Sequence, residues 1–284
     1  MSRVPVVLIT GATAGIGRHA ALHLARKGFH VFATGRRKEA LAELNAQDGG
    51  TKLDTFALDV TDAESVRTAV AEVDRRTNGY GLDILVNNAG YGVLGPLEMI
   101  SDEDLRAQYA TNVFGLMAMT RAFLPKMRER GAGRIVNISS AGGRITFPFM
   151  GAYNSSKYAV ESLTDALRSE VHPFGIKVVL IDPGFIHTEF ADRAMAMAGK
   201  YDVPDSPYAA LFRRAVEKVR RGLDATGVGP DCVCRAIERA VVGRNPLARY
   251  VVPLRTYALL AVFKLLPTRV VDWLQRAILG LNRR

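Results

Sequence analysis

Short apolar runs alternate with longer amphipathic stretches along the first two-thirds of the chain. The runs are Val4–Thr10, His30–Thr34, Leu53–Val60, Leu82–Asn87, Arg134–Ser139 and Ile176–Ile181. They are rich in Val, Ile, Leu and Phe with little polar alternation, which suits parallel strands buried on both faces. Helical periodicity fills the gaps at Ile16–Lys27, Lys38–Asn45, Ala63–Arg76, Asp102–Arg130 and Tyr153–His172. Ser101 with Asp104 predicts a capping box at the start of the fourth helix. Strict β–α alternation with right-handed crossovers predicts a doubly wound parallel sheet with helices on both faces.

The pattern changes after Gly184. Residues 185–207 read as a long loop or lid, and 208–221 as a helix. Another helix starts near Pro230, since proline suits a first helical turn. Arg249–Pro253 supplies a last strand, giving about seven in all. Residues 255–282 read as a helical C-terminal extension broken at Pro267. There is no repeat or flexible linker. The expectation is one domain over 1–284, with a core at 1–184, a substrate loop or lid at 185–228 and a C-terminal elaboration at 229–284.

Composition narrows the class. With 284 residues, 48% of them hydrophobic, the chain can bury a large core without a disulfide or metal staple. Cys232 and Cys234 lack the further ligands a structural zinc site needs, so no metal is expected. Val4–Thr10 runs straight into a glycine turn rather than a cleavage site, and no apolar run approaches a membrane span. A cytoplasmic protein is expected, touching a membrane at most peripherally. The net charge is +10, and residues after 184 hold 17 of the 38 basic side chains but 9 of the 28 acidic ones. A basic region can meet nucleic acid, but no recognition motif or aromatic-interleaved basic run accompanies it, so no nucleic-acid partner is expected.

Candidate chemistry begins at Thr10-Gly11-Ala12-Thr13-Ala14-Gly15-Ile16-Gly17, between the first strand and first helix. Glycines there let the backbone turn tightly and approach a pyrophosphate seated at the helix N-terminus. The second strand ends in Thr34-Gly35-Arg36-Arg37, where an acid would bind the free ribose hydroxyls of NAD. An arginine can instead hold the 2′-phosphate of NADP. NADP(H) is therefore expected, with NAD(H) as the alternative; the bland reading is that the arginines begin an exposed helix.

Tyr153 and Lys157 are spaced i, i+4 at a helix start, so both lie on one face. A free phenol, with a pKa near ~10, is a poor base at neutral pH, and a neighbouring ammonium lowers that value. Ser139 and Ser140 end the fifth strand, Asn87-Asn88-Ala89-Gly90 the fourth, and Pro183-Gly184-Phe185-Ile186-His187-Thr188 follows the sixth. All lie on the carboxyl edge of the sheet, where such folds bind ligands.

Thr10–Gly17, Asp59-Val60, Asn87–Gly90, Asn112, Ser140, Tyr153-x-x-x-Lys157 and Pro183–Thr188 together resemble the short-chain dehydrogenase/reductase family, in its order and spacing over residues 4–188. The resemblance implies a Rossmann-type fold and hydride transfer between a nicotinamide and an alcohol or carbonyl. It implies that Ser140, thirteen residues before Tyr153, orients the substrate oxygen and that Tyr153 is the acid/base. Lys157 would hold the nicotinamide ribose, and Asn112 a proton-relaying water. Gly11, Thr13, Gly15, Ile16, Gly17, Arg36, Asp59, Val60, Asn87, Ala89, Gly90, Pro183, Gly184, Ile186 and Thr188 would line the cofactor. The chain departs from some NADP-preferring members at Ala14, where they carry a basic residue, so the preference rests on Arg36.

Phe185, Phe190, Met195, Met197, Tyr201, Tyr208 and Phe212 suggest a lipophilic substrate pocket, though ordinary packing would use the same residues. Asn245–Tyr250 is similar to hydroxysteroid- and retinol-dehydrogenase-like members, which points to a lipophilic alcohol, ketone or aldehyde. The family commonly forms homodimers or homotetramers, through the helices at 102–130 and 153–172. The tail places Val270, Leu274, Ala277, Ile278 and Leu281 on one face, to pack on the domain, a second subunit or an anionic membrane. The alternative from another class is a nucleotide-binding regulator or scaffold without catalysis, against which Ser140, Tyr153 and Lys157 argue.

Overall fold

The structure is a computed structural model, which describes residues 3–47 and 52–281. Seven parallel strands form one sheet in the order β3-β2-β1-β4-β5-β6-β7. They are β1 (Val6–Ile9), β2 (His30–Gly35), β3 (Leu53–Ala57), β4 (Ile84–Asn87), β5 (Gly133–Ile138), β6 (Ile176–Pro183) and β7 (Arg249–Val252). The order reverses at β1, so the crevice between the ends of β1 and β4 is the topological switch point. The helices are α1 (Gly15–Arg26), α2 (Lys38–Ala46), α3 (Ala63–Arg76), α4 (Asp102–Tyr109), α5 (Leu116–Glu129), α6 (Gly151–Val171), α7 (Glu189–Gly199), α8 (Ala209–Thr226), α9 (Asp231–Val242), α10 (Leu254–Leu265) and α11 (Thr268–Leu279).

Alternate strand residues feed two cores. Val7, Ile9, Val86, Val136 and Val179 pack under α1 and α9. Leu8, Leu85, Ile135 and Val178 pack on the other face under α3, α5 and α6. The central strands are sealed on both sides, which explains their continuous apolar sequence. Each fully buried aliphatic side chain contributes roughly 1.5–3 kcal/mol, so the two layers hold the strand ends rigidly.

Four expectations change. The loop expected over 185–207 contains helix α7. Its Ala194 and Ala198 pack with Val93, Leu94, Tyr201 and Phe212 into a third apolar cluster. The helix expected over 102–130 is interrupted by a π-helical stretch, Ala110–Gly115, that carries Asn112. In the tail, the buried stripe of α11 is Gln275 and Leu279, with Val271 and Leu274 half-buried, while Val270, Ala277 and Ile278 face outward. Tertiary packing shifted that stripe by a fraction of a turn. Residue 282 and the two final arginines lie outside the described residues. The capping box forms in half. Ser101 caps the Asp104 amide at 3.2 Å, but the Asp104 carboxylate turns away to Lys200 and the Tyr201 hydroxyl.

Candidate active site

The first helix begins without a side-chain cap: Ala14 is its N-cap and its first turn holds no acid. The glycine turn before it is compressed against the end of β4. A side chain at Gly11, whose φ is +66°, would meet the Ala89 backbone at 2.8 Å, and one at Gly17 would meet the Gly11 carbonyl at 2.5 Å. Thr10 Oγ1 accepts from the amides of Asn88 and Ala89, both at 3.0 Å. Asn88 Nδ2 donates to the Thr10 and Gly11 carbonyls at 2.9 and 3.1 Å. Strand end, turn and helix N-terminus are thereby locked together.

A carboxylate from 174 residues away occupies the uncapped terminus: Glu189 Oε2 accepts from the Gly15 amide at 2.9 Å. Its own amide holds the Glu189 carboxyl below its ordinary range, with help from the Gly15 amide and the His19 and Arg18 charges, against the opposing effect of burial. An anion thus already sits where a pyrophosphate would gain from the helix dipole. The glycine cradle and this stand-in anion fit a dinucleotide. Glu189→Gln is expected to tighten dinucleotide binding about two- to fivefold, the scale of one charge at a helix end. Fluorescence titration checks this; weaker binding would make Glu189 a supporting contact instead.

At the end of β2 the two arginines differ. Arg37 Nη2 donates to the Thr13 carbonyl at 2.9 Å and braces the turn. The Arg36 guanidinium is exposed and stands 3.9 Å from Asp59 Oδ2. Asp59 Oδ1 accepts from the amide and hydroxyl of Thr61, and Val60 is buried against the site of Gly115.

Tyr153 and Lys157 both face the strand ends from α6 and are buried. Burial pushes the Tyr153 phenol up to about 12, while its hydrogen bond with Ser140 pulls the other way. Ser140 Oγ accepts from the Gly142 amide at 3.0 Å, which fixes the hydroxyl and leaves its proton to donate. Lys157 Nζ donates to the Ile138 carbonyl at 2.8 Å. Burial brings the lysine down to about 8, and the charges of Glu161 and Asp182 limit that fall. Desolvation of the phenol outweighs its hydrogen bond with Ser140, so Tyr153 keeps its proton through neutral pH.

Asn112 is fully used: its Oδ1 accepts from the Tyr91 amide at 3.0 Å, and its Nδ2 donates to the Tyr91 carbonyl and Ser156 Oγ. A side chain at Gly90 would touch both Asn112 Oδ1 and Lys157 Nζ, so these three residues meet. Asn87 turns into the core, donating to Thr120 Oγ1 and Asn137 Oδ1 at 3.1 and 2.9 Å. Any ribose contact there comes from its main chain. Ile186 is likewise a core side chain. Thr188, the N-cap of α7, lies beside Gly15. Gly184 sits at the end of β6 against Thr256, where a Cβ would meet Thr256 Oγ1 at 2.2 Å.

The lid aromatics divide. Tyr201, Phe212, Met195 and Met197 belong to the third cluster, and Tyr208 bonds Glu98. Phe190 alone stands over the reaction site, 5.6 Å from the Tyr153 ring centre to centre. Gly92 keeps that space open, because a Cβ there would touch both rings at 3.4 Å. A cavity of about 880 Å³ lies elsewhere, between α6, α10 and α11, with neither Ser140 nor Tyr153 on its walls. Chemistry is therefore placed by the strand ends rather than by cavity size.

The pattern of residues gave no warning of one group. Arg249 on β7 pairs with Glu161 on α6, and with Asp182 on β6 at 2.9 Å. Asp182 is fully buried, and burial together with Glu161 raises its carboxyl to about 7. This cluster lies just behind Lys157. Asparagine through arginine at 245–249 carried a family likeness, but only the fold brings Arg249 to two acids 67 and 88 residues earlier.

A parallel sheet with a glycine turn at its switch point, and half-buried Ser140 beside buried Tyr153 and Lys157, defines a dinucleotide-dependent oxidoreductase. Comparison with known proteins agrees. Residues 5–198 match the short chain dehydrogenase family, and the chain belongs to it; its members are NAD(P)-dependent dehydrogenases and reductases. It is 39% identical over 268 residues to the uncharacterized oxidoreductase YbbO of Escherichia coli K12, covering 94% of this chain and 92% of that one. It is 34% identical to the NADPH-dependent 3-dehydrocapnine reductase of Ornithobacterium rhinotracheale, over 93% and 94% of the two chains. It is 36% identical to the 3-ketodihydrosphingosine reductase of Bacteroides thetaiotaomicron, over 85% of each. A short-chain dehydrogenase from Streptomyces avermitilis superposes with a TM-score of 0.80 at 32% identity, covering 98% of both chains. A family member from Burkholderia phymatum solved with NAD gives 0.79 at 26% identity, over 91% and 92%.

Proposed function

We propose that this protein is an NADP(H)-dependent reductase of a ketone carried on a long apolar chain, with Tyr153 as proton donor. The observation that carries this reading is the buried Tyr153 phenol, hydrogen-bonded to Ser140 and backed by Lys157. A bound dihydronicotinamide supplies the hydride that goes to the carbonyl carbon. Tyr153 gives its proton to the carbonyl oxygen, and the Ser140 hydroxyl donates a hydrogen bond to the same oxygen as negative charge develops. Alcohol oxidation runs the same steps backward. Lys157, now donating to the Ile138 carbonyl, would hold the nicotinamide ribose and help restore the tyrosine proton. Asn112 has no free side-chain atom, so the relaying water is assigned to its main chain in the π-helical stretch, a distortion common at functional sites.

Gly11, Thr13, Gly15, Ile16 and Gly17 would cradle the pyrophosphate. Asp59, Val60, Asn87, Ala89 and Gly90 would line the adenosine side, and Pro183, Gly184, Ile186 and Thr188 the nicotinamide. Arg36 is the exposed cation for the 2′-phosphate. The apolar lip of Phe190 and Gly92 beside Tyr153 favours a lipophilic substrate. Two similar proteins are named for ketone substrates, 3-dehydrocapnine and 3-ketodihydrosphingosine. Exposed Phe114, in the π-helical stretch before α5, and Tyr158, on α6, suit a self-association face there.

The test follows oxidation of NADPH and of NADH with short and long-chain ketones, for the wild type and Arg36→Ala. Long-chain ketones should turn over with NADPH. Arg36→Ala should raise KM for NADPH about tenfold or more, the scale of a charge-assisted phosphate contact, and leave NADH unchanged. Equal loss for both cofactors would remove Arg36 from the phosphate site. Tight NADPH binding with no turnover of any carbonyl would favour the non-catalytic nucleotide-binding reading.

A further inference from the structure

Helix α10 is apolar on its outward as well as its inward face. Its buried residues are Thr256 and Leu260, with Phe263 half-buried. Wound at 3.6 residues per turn, these three form one stripe. The opposite face, directed at solvent, carries Leu254, Tyr257, Ala258, Ala261, Val262 and Leu265. Leu254 is 81% exposed, Leu265 84% and Val262 53%. The same winding places Arg255 on one border of this face and Lys264 on the other, and α10 contains no acid. A helix that is apolar all round is ordinarily covered on every side.

Helix α11 follows after Leu266 and Pro267 and repeats the theme. Gln275 and Leu279 face the protein. Trp273, the chain's single tryptophan, stands 57% exposed on the outward side, with Arg269 and Arg276 beside it. Exposed apolar side chains bordered by cations, with a tryptophan and a tyrosine among them, match the chemistry of an anionic lipid headgroup layer. The long stems of Arg255 and Lys264 can lie along the apolar face while their charged ends reach phosphate oxygens.

A second copy of the chain fits less well. A two-fold contact sets the same patch against itself. Arg255, Lys264, Arg269 and Arg276 would then confront their own copies, with Asp272 the only acid on the two helices. Like charges across an interface are costly, whereas an anionic surface complements all four. Among the described residues no helix is long and apolar enough to cross a membrane, so contact would be parallel to the surface.

We propose that the outward faces of α10 and α11 form a docking surface for an anionic lipid bilayer. The surface lies at the β7 edge of the sheet and uses no residue assigned to the reaction.

The experiment uses the full chain with phosphatidylcholine vesicles and with mixed phosphatidylcholine–phosphatidylglycerol vesicles, reading co-sedimentation and Trp273 fluorescence. Binding to the mixed vesicles should shift the emission to shorter wavelength and weaken as salt is raised. Val262→Glu with Leu265→Glu changes two exposed positions and should reduce binding about tenfold or more. Arg255→Gln with Lys264→Gln should remove the preference for anionic lipid. Both variants should keep wild-type NADPH binding, which separates loss of docking from loss of fold. Absence of vesicle binding with unchanged emission overturns the proposal. So does concentration-dependent self-association that Val262→Glu with Leu265→Glu abolishes, for then a second copy covers the patch.

Discussion

Tyr153→Phe should lower turnover by about 10²–10⁴-fold, the range a positioned general acid supplies, while the NADPH dissociation constant stays within about twofold. The substitution removes one hydroxyl from a ring that is 7% exposed and leaves its volume unchanged. Ser140 retains its hydrogen bond from the Gly142 amide, and Lys157 its carbonyl partner, so the surroundings do not collapse. Steady-state kinetics beside a fluorescence binding titration separates the two effects. Turnover kept above about a tenth of wild type would assign the proton to another donor.

The pH dependence of the wild type sharpens this test. In reduction the tyrosine must carry its proton, and burial holds the phenol near 12. The phenol therefore does not limit the rate through the neutral and mildly alkaline range. Lys157, brought down to about 8, loses its charge first. Reductive kcat should be flat below that value and fall as pH rises through it. The alkaline limb thus reports the lysine. Removing negative charge behind it, as in Glu161→Gln, should move the limb to lower pH, because the Glu161 charge helps keep the ammonium charged.

Much of this site was legible because it depends on strand ends and short spacings. Tyr153 and Lys157 are one helical turn apart, and the glycine turn is continuous in sequence, so periodicity alone places them on the same edge. What was illegible depends on contacts between distant parts of the chain. Glu189 falls in the stretch read as a loop and carries no role there, yet it occupies the terminus of α1 because β6 delivers it there. The lid reads as a loop because α7 is short and its Thr188 cap and first-turn acids Glu189 and Asp192 precede a run of Ala and Met without a clear apolar stripe; its packing on Val93 and Leu94 makes it a helix. Asn87 reads as a ligand contact because it ends a strand, but side-chain alternation turns it into the core beside Asn137. The aromatic lid residues were ambiguous for a related reason: composition cannot separate Phe212, fully buried, from Phe190, which faces Tyr153.

Arg249→Met should be the most destabilising change outside the reaction site. The guanidinium neutralises Glu161 and Asp182, whose side chains are 9% and 0% exposed. Both acids also keep one oxygen without a hydrogen-bond partner, so neither has a replacement. Among the described residues Arg249 is the one cation that bonds both, and it also reaches Asp165 at 3.4 Å; removing it leaves the two buried carboxyls facing each other at low dielectric, a loss of about 3 kcal/mol. That is the lower end of the range for a broken buried pair, because Arg249 is itself a quarter exposed. Tm should drop by roughly 5 °C or more in thermal unfolding. The pH dependence carries the sign. Asp182 has its folded pKa raised to about 7 from 3.8, so its contribution is fully present below the unfolded value and is lost as pH rises through the folded one. Without Arg249 the carboxyl rises further. The deficit of Arg249→Met should therefore be small near pH 5, where one acid keeps its proton, and grow through neutrality. A deficit that is constant from pH 5 to 8 would mean that Arg249 acts through packing of its stem rather than through charge.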